Sequence, residues 1–160
     1  MFSPLLSEND FTCQEKLYII IITFYLITEA KNMTIKTNYV DGFVLIVPKN
    51  KVEEYKKMAS DGRDMWMKHG ALAYFECKGD DLAPKDMGDM KVRAFTEMAG
   101  AKGDEDVWFS FITFKSKEHR DEVNAKVYEE MGAQVAQNKD FVMPFDMSRM
   151  ATGGFKVEVS

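Results

Sequence analysis

The most promising side chains for chemistry in this sequence are a carboxyl group and a hydroxyl group on neighbouring strands. Glu76 lies near the end of the second predicted strand, and Ser110 lies near the start of the third. Because these strands are expected to pair antiparallel, we expect the two residues to lie side by side. If both point to the sheet face without helices, the carboxyl group would sit in an apolar interior and could act as a general acid or base. The alternative is that Glu76 faces solvent or an arginine.

Three further polar residues are candidates for a site. Asp41 lies inside an apolar strand, where an unpaired carboxylate is costly to bury. It is either a hydrogen-bonded residue at the start of the strand or a polar group that lines a cavity. Asp146 and Arg149 come shortly before the last strand and are candidate ligand-binding residues. Their structural alternative is a local turn held by the Asp side chain, together with an Arg–carboxylate pair.

Other reactive residue types offer less. His69 falls in the last turn of the first predicted helix, where a cation interacts favourably with the helix dipole. His119 lies in a charged stretch that is typical of a solvated helix face. Cys13 and Cys77 have neither disulfide nor metal-ligand spacing, and we expect Cys77 to be a buried, inert thiol. The sequence predicts no metal site and no cofactor, because it has none of the usual phosphate-binding or nucleophile motifs.

The elements that position these residues follow from hydrophobic periodicity. Four strands are predicted at Tyr39–Val47, Ala71–Lys78, Val107–Phe114 and Gly154–Val159. Apolar residues spaced by three and four predict a helix from a cap at Asn50 to a stop at Gly70, and Ser116 is expected to begin a second helix that stops at Gly132 or extends to Gln137. The long Gly79–Asp106 connection is expected to hold only a short helix or strand near Val92–Ala99, and connections of this length are often functional.

The order β-α-β-β-α-β predicts an α+β ferredoxin-like fold with the antiparallel sheet order 4-1-3-2 and both helices on one face. The first and third strands are apolar on both faces, so the face without helices needs a cover. Two copies packed sheet to sheet would provide it. We therefore expect a homodimer that forms an α+β barrel.

Several blocks of sequence resemble the uncharacterised YbaA-like proteins of the dimeric α+β barrel superfamily. The matching residues are Tyr39–Phe43, Glu76-Cys77, Asp80-Asp81, Phe109-Ser110, Ser116, Arg120-Asp121, Asn124, Met143–Asp146, Arg149-Met150 and Gly153–Phe155. The likeness runs from Lys36 to Val159. It implies the barrel fold and a homodimer, and it brings no established activity.

Residues 1–32 do not share the pattern of the rest of the chain. The apolar run Leu17–Ile27 is shorter than the ~20 residues that a membrane-spanning helix needs, and acidic residues precede it where a signal peptide would be basic. We expect no stable membrane insertion. Residues 1–32 are then an extension outside the fold, produced by a misplaced start codon before Met33, or else a membrane-associated or partner-docking segment. Residues 33–160 are expected to form one domain.

Composition narrows the class of protein further. The net charge of −5 argues against a nucleic-acid surface, and the two cysteines fit a reducing cytoplasm. Three hypotheses stay open. The first is a homodimeric barrel protein that binds a small apolar or aromatic molecule or is stress-associated, with no chemistry of its own. The second is a cofactor-independent oxygenase or isomerase acting on an aromatic or polyketide-like compound, and the third is an assembly or regulatory module. Polar groups converging in a cavity of a few hundred Å3 would favour the enzyme.

Overall fold

The computed structural model describes residues 12, 14, 18, 22, 36–84, 88, 92–137 and 141–160. The chain divides into two units, Met1–Ile35 and Lys36–Ser160. The apolar run 17–27 lies outside the described residues except for Tyr18 and Ile22, so the origin of residues 1–32 stays a prediction. Within the described parts of the chain, no helix combines the length and the apolar character needed to cross a membrane.

The described residues of the second unit form four strands and three helices. In chain order they are β1 (Tyr39–Pro48), α1 (Val52–Lys68), β2 (Ala73–Lys78), α2 (Phe95–Ala99), β3 (Glu105–Phe114), α3 (Lys117–Gln137) and β4 (Ala151–Lys156). Short 3-10 turns at Lys49–Lys51 and Met147–Arg149 precede α1 and β4. The elements confirm the predicted α+β ferredoxin-like order, with α2 as the short helix expected in the long connection.

All four strands form one antiparallel sheet in the order β2-β3-β1-β4. This is the predicted 4-1-3-2 order counted from the other edge. β1 and β3 are the central strands of this sheet. The register places Glu76 directly opposite Ser110, so the predicted pairing of these two residues is confirmed.

The helices α1 and α3 cover one face of the sheet, called the helix face below. Tyr55 and Ala59 of α1 pack against Leu45, Val47 and Trp108. On α3, Val123 and Val127 pack against Ile112 and Phe114 in a second cluster. Side chains at every second strand position therefore point into the layer between sheet and helices.

The sequence predicted some ends of α1 and α3 correctly and others not. The predicted cap at Asn50 is wrong: Lys51 holds the N-cap position of α1 without a side-chain hydrogen bond, because residues 49–51 already form a 3-10 turn. The predicted stop is confirmed, since Gly70 has a φ of 108°. Ser116 caps α3 as expected, with its Oγ accepting a hydrogen bond of 3.2 Å from the His119 backbone N–H. α3 extends past Gly132 to Gln137.

The opposite face of the sheet is called the open face below, and the described residues of the second unit cover it at one end only. α2 lies against β1 and β3 there, and its Phe95 ring is 6.5 Å from that of Phe109. Ile46 and Val107, at the same end of the open face, are buried. The prediction that this face carries no helix is therefore wrong at this end, because the long connection folds back over it.

The last strand lies three residues earlier than predicted, at Ala151–Lys156. Its glycines make room for aromatic rings of their neighbours. A Cβ on Gly154 would lie 2.5 Å from the Tyr39 hydroxyl, and a Cβ on Gly42 of β1 would lie 3.2 Å from the Phe155 ring. Glycine at these positions therefore lets the two strands and their aromatic rings approach closely.

Candidate functional site

The Glu76 carboxylate lies at the centre of a cluster of hydroxyl groups on the helix face. Tyr55 donates a hydrogen bond of 2.5 Å to Oε2, and Tyr74 donates one of 2.7 Å to Oε1. Ser110 also donates to Oε2. The expectation that Glu76 and Ser110 point to the face without helices is therefore wrong, because Tyr55 belongs to α1 and meets them on the other side of the sheet. We call these four residues the Glu76 cluster.

Three elements build the Glu76 cluster. Tyr74 and Glu76 are two residues apart on β2, so both point to the helix face. Ser110 follows from the β2–β3 register. Tyr55 reaches the carboxylate from the first turns of α1, held by ring contacts with Trp108 at 4.8 Å and with Phe145 at 5.8 Å. The cluster thus depends on the packing of α1 against the sheet.

A cavity of about 260 Å3 opens beside the Glu76 cluster, between the sheet, α1 and α3. Its wall is almost entirely apolar. Five methionines and six aromatic residues contribute: Met58, Met131, Met143, Met147, Met150, Phe43, Tyr55, Trp66, Tyr74, Tyr128 and Phe145. We call this space the methionine cavity. Glu76 and Ser110 also line it, so an apolar chamber ends at one charged group, which is the usual composition of a small-molecule site.

The electrostatics of the Glu76 cluster keep both phenols neutral. Burial, followed by the hydrogen bond and charge of Glu76, raises the pKa of Tyr55 well above its ordinary value of 10. Burial and the Glu76 charge raise the pKa of Tyr74 in the same direction. Deprotonation of either phenol beside a carboxylate would bring two negative charges together in a poorly solvated place. The phenols therefore act as hydrogen-bond donors to Glu76.

A second, more open groove of about 430 Å3 reaches the cluster from the edge of β2. Its basic side chains are those of Lys56, Arg63 and Lys78. Each has an acidic partner: Lys56 pairs with Glu53 at 2.8 Å, Arg63 with Asp64 at 2.7 Å and Lys78 with Asp106 at 2.9 Å. Each cation of this groove thus already has a carboxylate partner.

Asp41 lies on the same face of the sheet but in a different setting. It is buried, and Asn124 of α3 donates a hydrogen bond of 3.0 Å to its Oδ2. The guanidinium of Arg120 forms an ion pair with Oδ1 at 3.7 Å. The same guanidinium lies 5.0 Å from the ring centre of Tyr39 and donates to its hydroxyl. These contacts match the structural alternative for Asp41, and it is not among the residues lining the methionine cavity.

Asp146 and Arg149 hold the chain before β4 in place. Asp146 accepts hydrogen bonds from the backbone N–H of Ser148 at 2.9 Å and from its hydroxyl at 2.6 Å, and the Ser148 hydroxyl lowers the pKa of Asp146. Arg149 donates two hydrogen bonds to Glu105, of 2.6 and 3.0 Å, and one of 2.8 Å to the Gly100 carbonyl. Both structural alternatives are therefore present, and ligand binding by these two residues stays a prediction.

The histidines are engaged with neighbouring side chains and backbone. The Nε2 atom of His69 lies 2.6 Å from Glu130 of α3. The Lys115 N–H donates to Nδ1 of His119, which is half-buried against Phe114, so the interpretation of His119 as a solvated face is wrong. Among the described residues, no group of three or more His, Cys, Asp or Glu side chains is placed to hold a metal ion.

Cys77 is exposed, so its predicted burial is wrong. The residue alternates with Glu76 along β2 and therefore points to the open face, which α2 leaves uncovered at this position. Cys13 lies outside the described residues.

Most partners of the two carboxylates, Asp41 and Glu76, were not predicted from the sequence. Tyr74 carried a usable signal, because it shares the face of Glu76 at a spacing of two residues. Arg120 and Asn124 belong to the blocks that match the YbaA-like proteins, but their spacing of four on one helix was not connected with Asp41. No sequence pattern indicated that Tyr55 contacts Glu76, because only the packing of α1 on the sheet brings the two residues together.

The fold and the site define an α+β protein with a largely apolar chamber next to a half-buried carboxylate. The family model "Protein of unknown function (DUF1428)" matches residues 38–147. The chain is 38% identical over 120 residues to "Uncharacterized protein YbaA" of Escherichia coli K12, which covers 74% of this chain and 94% of that protein. The YbaA proteins of Escherichia coli O157:H7 and Shigella flexneri match to the same extent. The chain therefore belongs to the DUF1428 family, and its resemblance to the YbaA-like proteins is confirmed.

Proposed function

We propose that this protein binds a small, mainly apolar molecule in the methionine cavity, with the polar end of that molecule at Glu76. The observation that carries the proposal is an apolar chamber of about 260 Å3 that ends at one charged group. An apolar cavity of roughly 150 Å3 is large enough to take up benzene. The methionine cavity therefore has room for a ring with a short substituent.

The sequence of α1 supports the proposal through Gly62. This residue lies in the middle of the helix, where glycine costs about 1 kcal/mol relative to alanine. A Cβ at this position would lie 3.4 Å from the Tyr74 hydroxyl and 3.7 Å from the Trp66 ring, which is ordinary contact. Because alanine would fit here, the shape of the helix does not require glycine. The missing side chain instead enlarges the space beside Tyr74.

Filling the cavity tests the proposal. Wild-type protein isolated gently from cells is expected to retain a bound small molecule, detected by native mass spectrometry, and ethylbenzene is expected to raise the melting temperature of stripped protein. Gly62→Leu should abolish both, because its side chain would extend into the cavity. Gly62→Ala serves as the control: it should fold at least as stably and bind more weakly. If Gly62→Leu folds and binds ethylbenzene as the wild type does, the proposed site is wrong.

The convergence of Glu76, Ser110 and two phenols favours a second candidate, a cofactor-independent oxygenase or isomerase acting on an aromatic or polyketide-like compound. Ser110 already directs its hydroxyl hydrogen to a carboxylate that could accept a proton. The two candidates differ in Ser110→Ala, which removes only the hydroxyl group. An enzyme that uses this hydroxyl would lose turnover and keep binding, whereas a binding protein would change in affinity alone.

We further propose that the open face pairs with a second copy of the chain. Phe75, Phe109 and Phe155 are 47%, 45% and 61% exposed on this face, and Phe75 stacks on Phe111 at 4.7 Å. Beside these rings lies a hollow of about 420 Å3 whose floor contains Gly42 and Gly153. A twofold interface needs one patch that fits itself, and projecting rings next to a hollow meet that need.

Sedimentation equilibrium at micromolar concentration tests the dimer. The wild type should show about twice the chain mass of 18.4 kDa. Phe109→Lys places a charge in the centre of the patch and should give a folded monomer, whereas Tyr128→Lys on the opposite side of the molecule should stay dimeric. A wild-type chain that is monomeric and fully folded at this concentration would contradict the proposed barrel.

A further inference from the structure

The three hydroxyl hydrogens of the Glu76 cluster are all donated to Glu76. This limits which polar groups of a ligand can form hydrogen bonds with the cluster. Tyr55, Tyr74 and Ser110 each carry one hydroxyl hydrogen, and each donates it to Glu76. An ionised carboxylate has about four lone-pair sites and only accepts. Three are filled, two on Oε2 and one on Oε1, so one site on Oε1 is left together with lone pairs on the hydroxyl oxygens. The polar end of the cavity therefore presents acceptors.

Two other residues that line the cavity carry polar side-chain hydrogens. Trp66 donates its indole N–H to Asn124 at 2.9 Å. Tyr128 is 60% exposed on α3. A ligand with a carboxylate or a carbonyl group would thus meet lone pairs at Glu76, whereas a ligand with N–H or O–H groups would meet acceptors. Burying an acceptor against acceptors leaves both unsatisfied, which is strongly unfavourable.

The charge of Glu76 and the surrounding aromatic rings narrow the chemical class of the ligand further. The cluster holds one carboxylate, and the rings of Tyr55, Trp66 and Tyr74 surround the space beside it. The faces of such rings attract cations. The basic residues of the neighbouring groove pair with their own acids, as described above. On the other side, a groove of about 250 Å3 between α1 and α3 shares Met58, Gly62 and Met131 with the cavity, and Asp61 lines it. This groove offers a route of entry with an acidic residue beside it.

We propose that the methionine cavity selects a small organic amine, in which a protonated ammonium group binds the Glu76 cluster and an aromatic or branched aliphatic body fills the methionine-lined space. This inference rests on the proposed function. Scaling from benzene in roughly 150 Å3, the cavity accommodates a molecule of about ten non-hydrogen atoms. The ammonium group donates to Oε1 of Glu76 and to a phenol oxygen, and no covalent step is involved.

Three probes of similar size test the inference: phenethylamine, phenylacetate and ethylbenzene, each titrated calorimetrically into stripped wild-type protein. Phenethylamine is expected to bind about tenfold more tightly than ethylbenzene, since a hydrogen bond to a charged group typically gives at least that factor. Phenylacetate is expected to bind more weakly than ethylbenzene.

Variants locate the preference at Glu76. Glu76→Gln should remove the preference for phenethylamine over ethylbenzene while ethylbenzene still binds. Glu54→Gln, on the exposed side of α1 where Glu54 pairs with Lys51, is the matched control and should keep the preference. Tyr74→Phe removes one donor from Oε1 of Glu76 and frees a second acceptor site there, so it should strengthen the preference for phenethylamine. This variant keeps the inference testable if Glu76→Gln fails to fold, because an unchanged or weaker preference in Tyr74→Phe would count against it.

The outcomes separate this inference from the proposed function. Equal binding of phenethylamine and ethylbenzene, or a preference for phenylacetate, would overturn the amine inference and leave the cavity as a binding site. Preference for phenethylamine that survives in Glu76→Gln would overturn it as well. If none of the three probes binds, both proposals are wrong.

Discussion

Asp41 and Glu76 are two carboxylates on the same face of the same sheet, yet their surroundings differ in kind. Asp41 is held by the guanidinium of Arg120 and the amide of Asn124, both on α3. Glu76 is held by three hydroxyl groups and borders a cavity. A carboxylate paired with a cation in a packed interior is typical of a structural role, whereas one held by neutral hydroxyl groups beside open space is accessible to a ligand.

The two carboxylates are also connected. Trp66 donates its indole N–H to Asn124, the partner of Asp41. The same ring lines the methionine cavity and lies 6.0 Å from the ring of Tyr74. The structural carboxylate thus fixes, through Asn124 and Trp66, one wall of the chamber at which the other carboxylate lies. Two residues of one layer, one with a structural role and one with a proposed binding role, are thus connected through shared neighbours.

A pair of isosteric substitutions tests the difference between the two carboxylates and should give the largest effect. Asp41→Asn should lower the free energy of unfolding by about 2 kcal/mol, because it removes the charge of the buried partner of Arg120 and leaves the guanidinium with only the more exposed Asp121. Glu76→Gln should change it by less than about 1 kcal/mol, since the three hydroxyls can rotate to accept from the new amide. Urea unfolding measures both. A larger loss for Glu76→Gln than for Asp41→Asn would show that Glu76 is the structural carboxylate.

Alkaline pH gives a second test, specific to the Glu76 cluster. The raised pKa values of Tyr55 and Tyr74 mean that both phenols stay neutral in the folded protein while they ionise near pH 10 in the unfolded chain. Their contribution to stability is present below pH 10 and is lost as the pH rises above it. Each should cost about 1.4 kcal/mol per pH unit in that range.

Comparing the wild type with Tyr74→Phe isolates this effect from the titration of lysines. At pH 11 the loss of unfolding free energy relative to pH 9 should be about 1.4 kcal/mol smaller in the variant. Tyr128→Phe, on an exposed tyrosine, is the control. Parallel curves for the wild type and Tyr74→Phe would mean that Tyr74 is not held against Glu76 in solution.

The smallest expected effect concerns a third carboxylate, which resembles Asp41 in having an arginine. Hydrogen bonds from Arg149 and from the Lys102 backbone lower the pKa of Glu105 from 4.5 to about 2. A lowered pKa means that the stabilisation is complete above pH 4.5 and is lost as the pH falls toward 2. Glu105→Gln should therefore flatten the acid limb of the stability curve in this window. Identical slopes for both proteins between pH 4.5 and 2 would show that the Glu105–Arg149 pair is not formed in solution.

Local patterns predicted the architecture because each element carries its own signal. The alternation in β1 and β3, the three-and-four spacing in α1 and the glycine at position 70 are determined by neighbours in the chain. The Glu76–Ser110 pairing followed from strand order, since a split β-α-β-β-α-β arrangement leaves only one antiparallel partner for β2. The bounds of β4 were missed because its glycines give no alternation, and its position depends on how Tyr39 and Phe155 pack against them.

The sequence by itself determined the strand order, the helix positions and the family, because these depend on residue types repeated over many positions. Only the tertiary structure decided which face of the sheet Glu76 occupies. A strand pattern that is apolar on both faces is unchanged when the two faces are exchanged, so it does not distinguish them. The contact between Tyr55 and Glu76, 21 residues apart in the chain, depends on how α1 packs on β2 and β3. That packing creates the cavity.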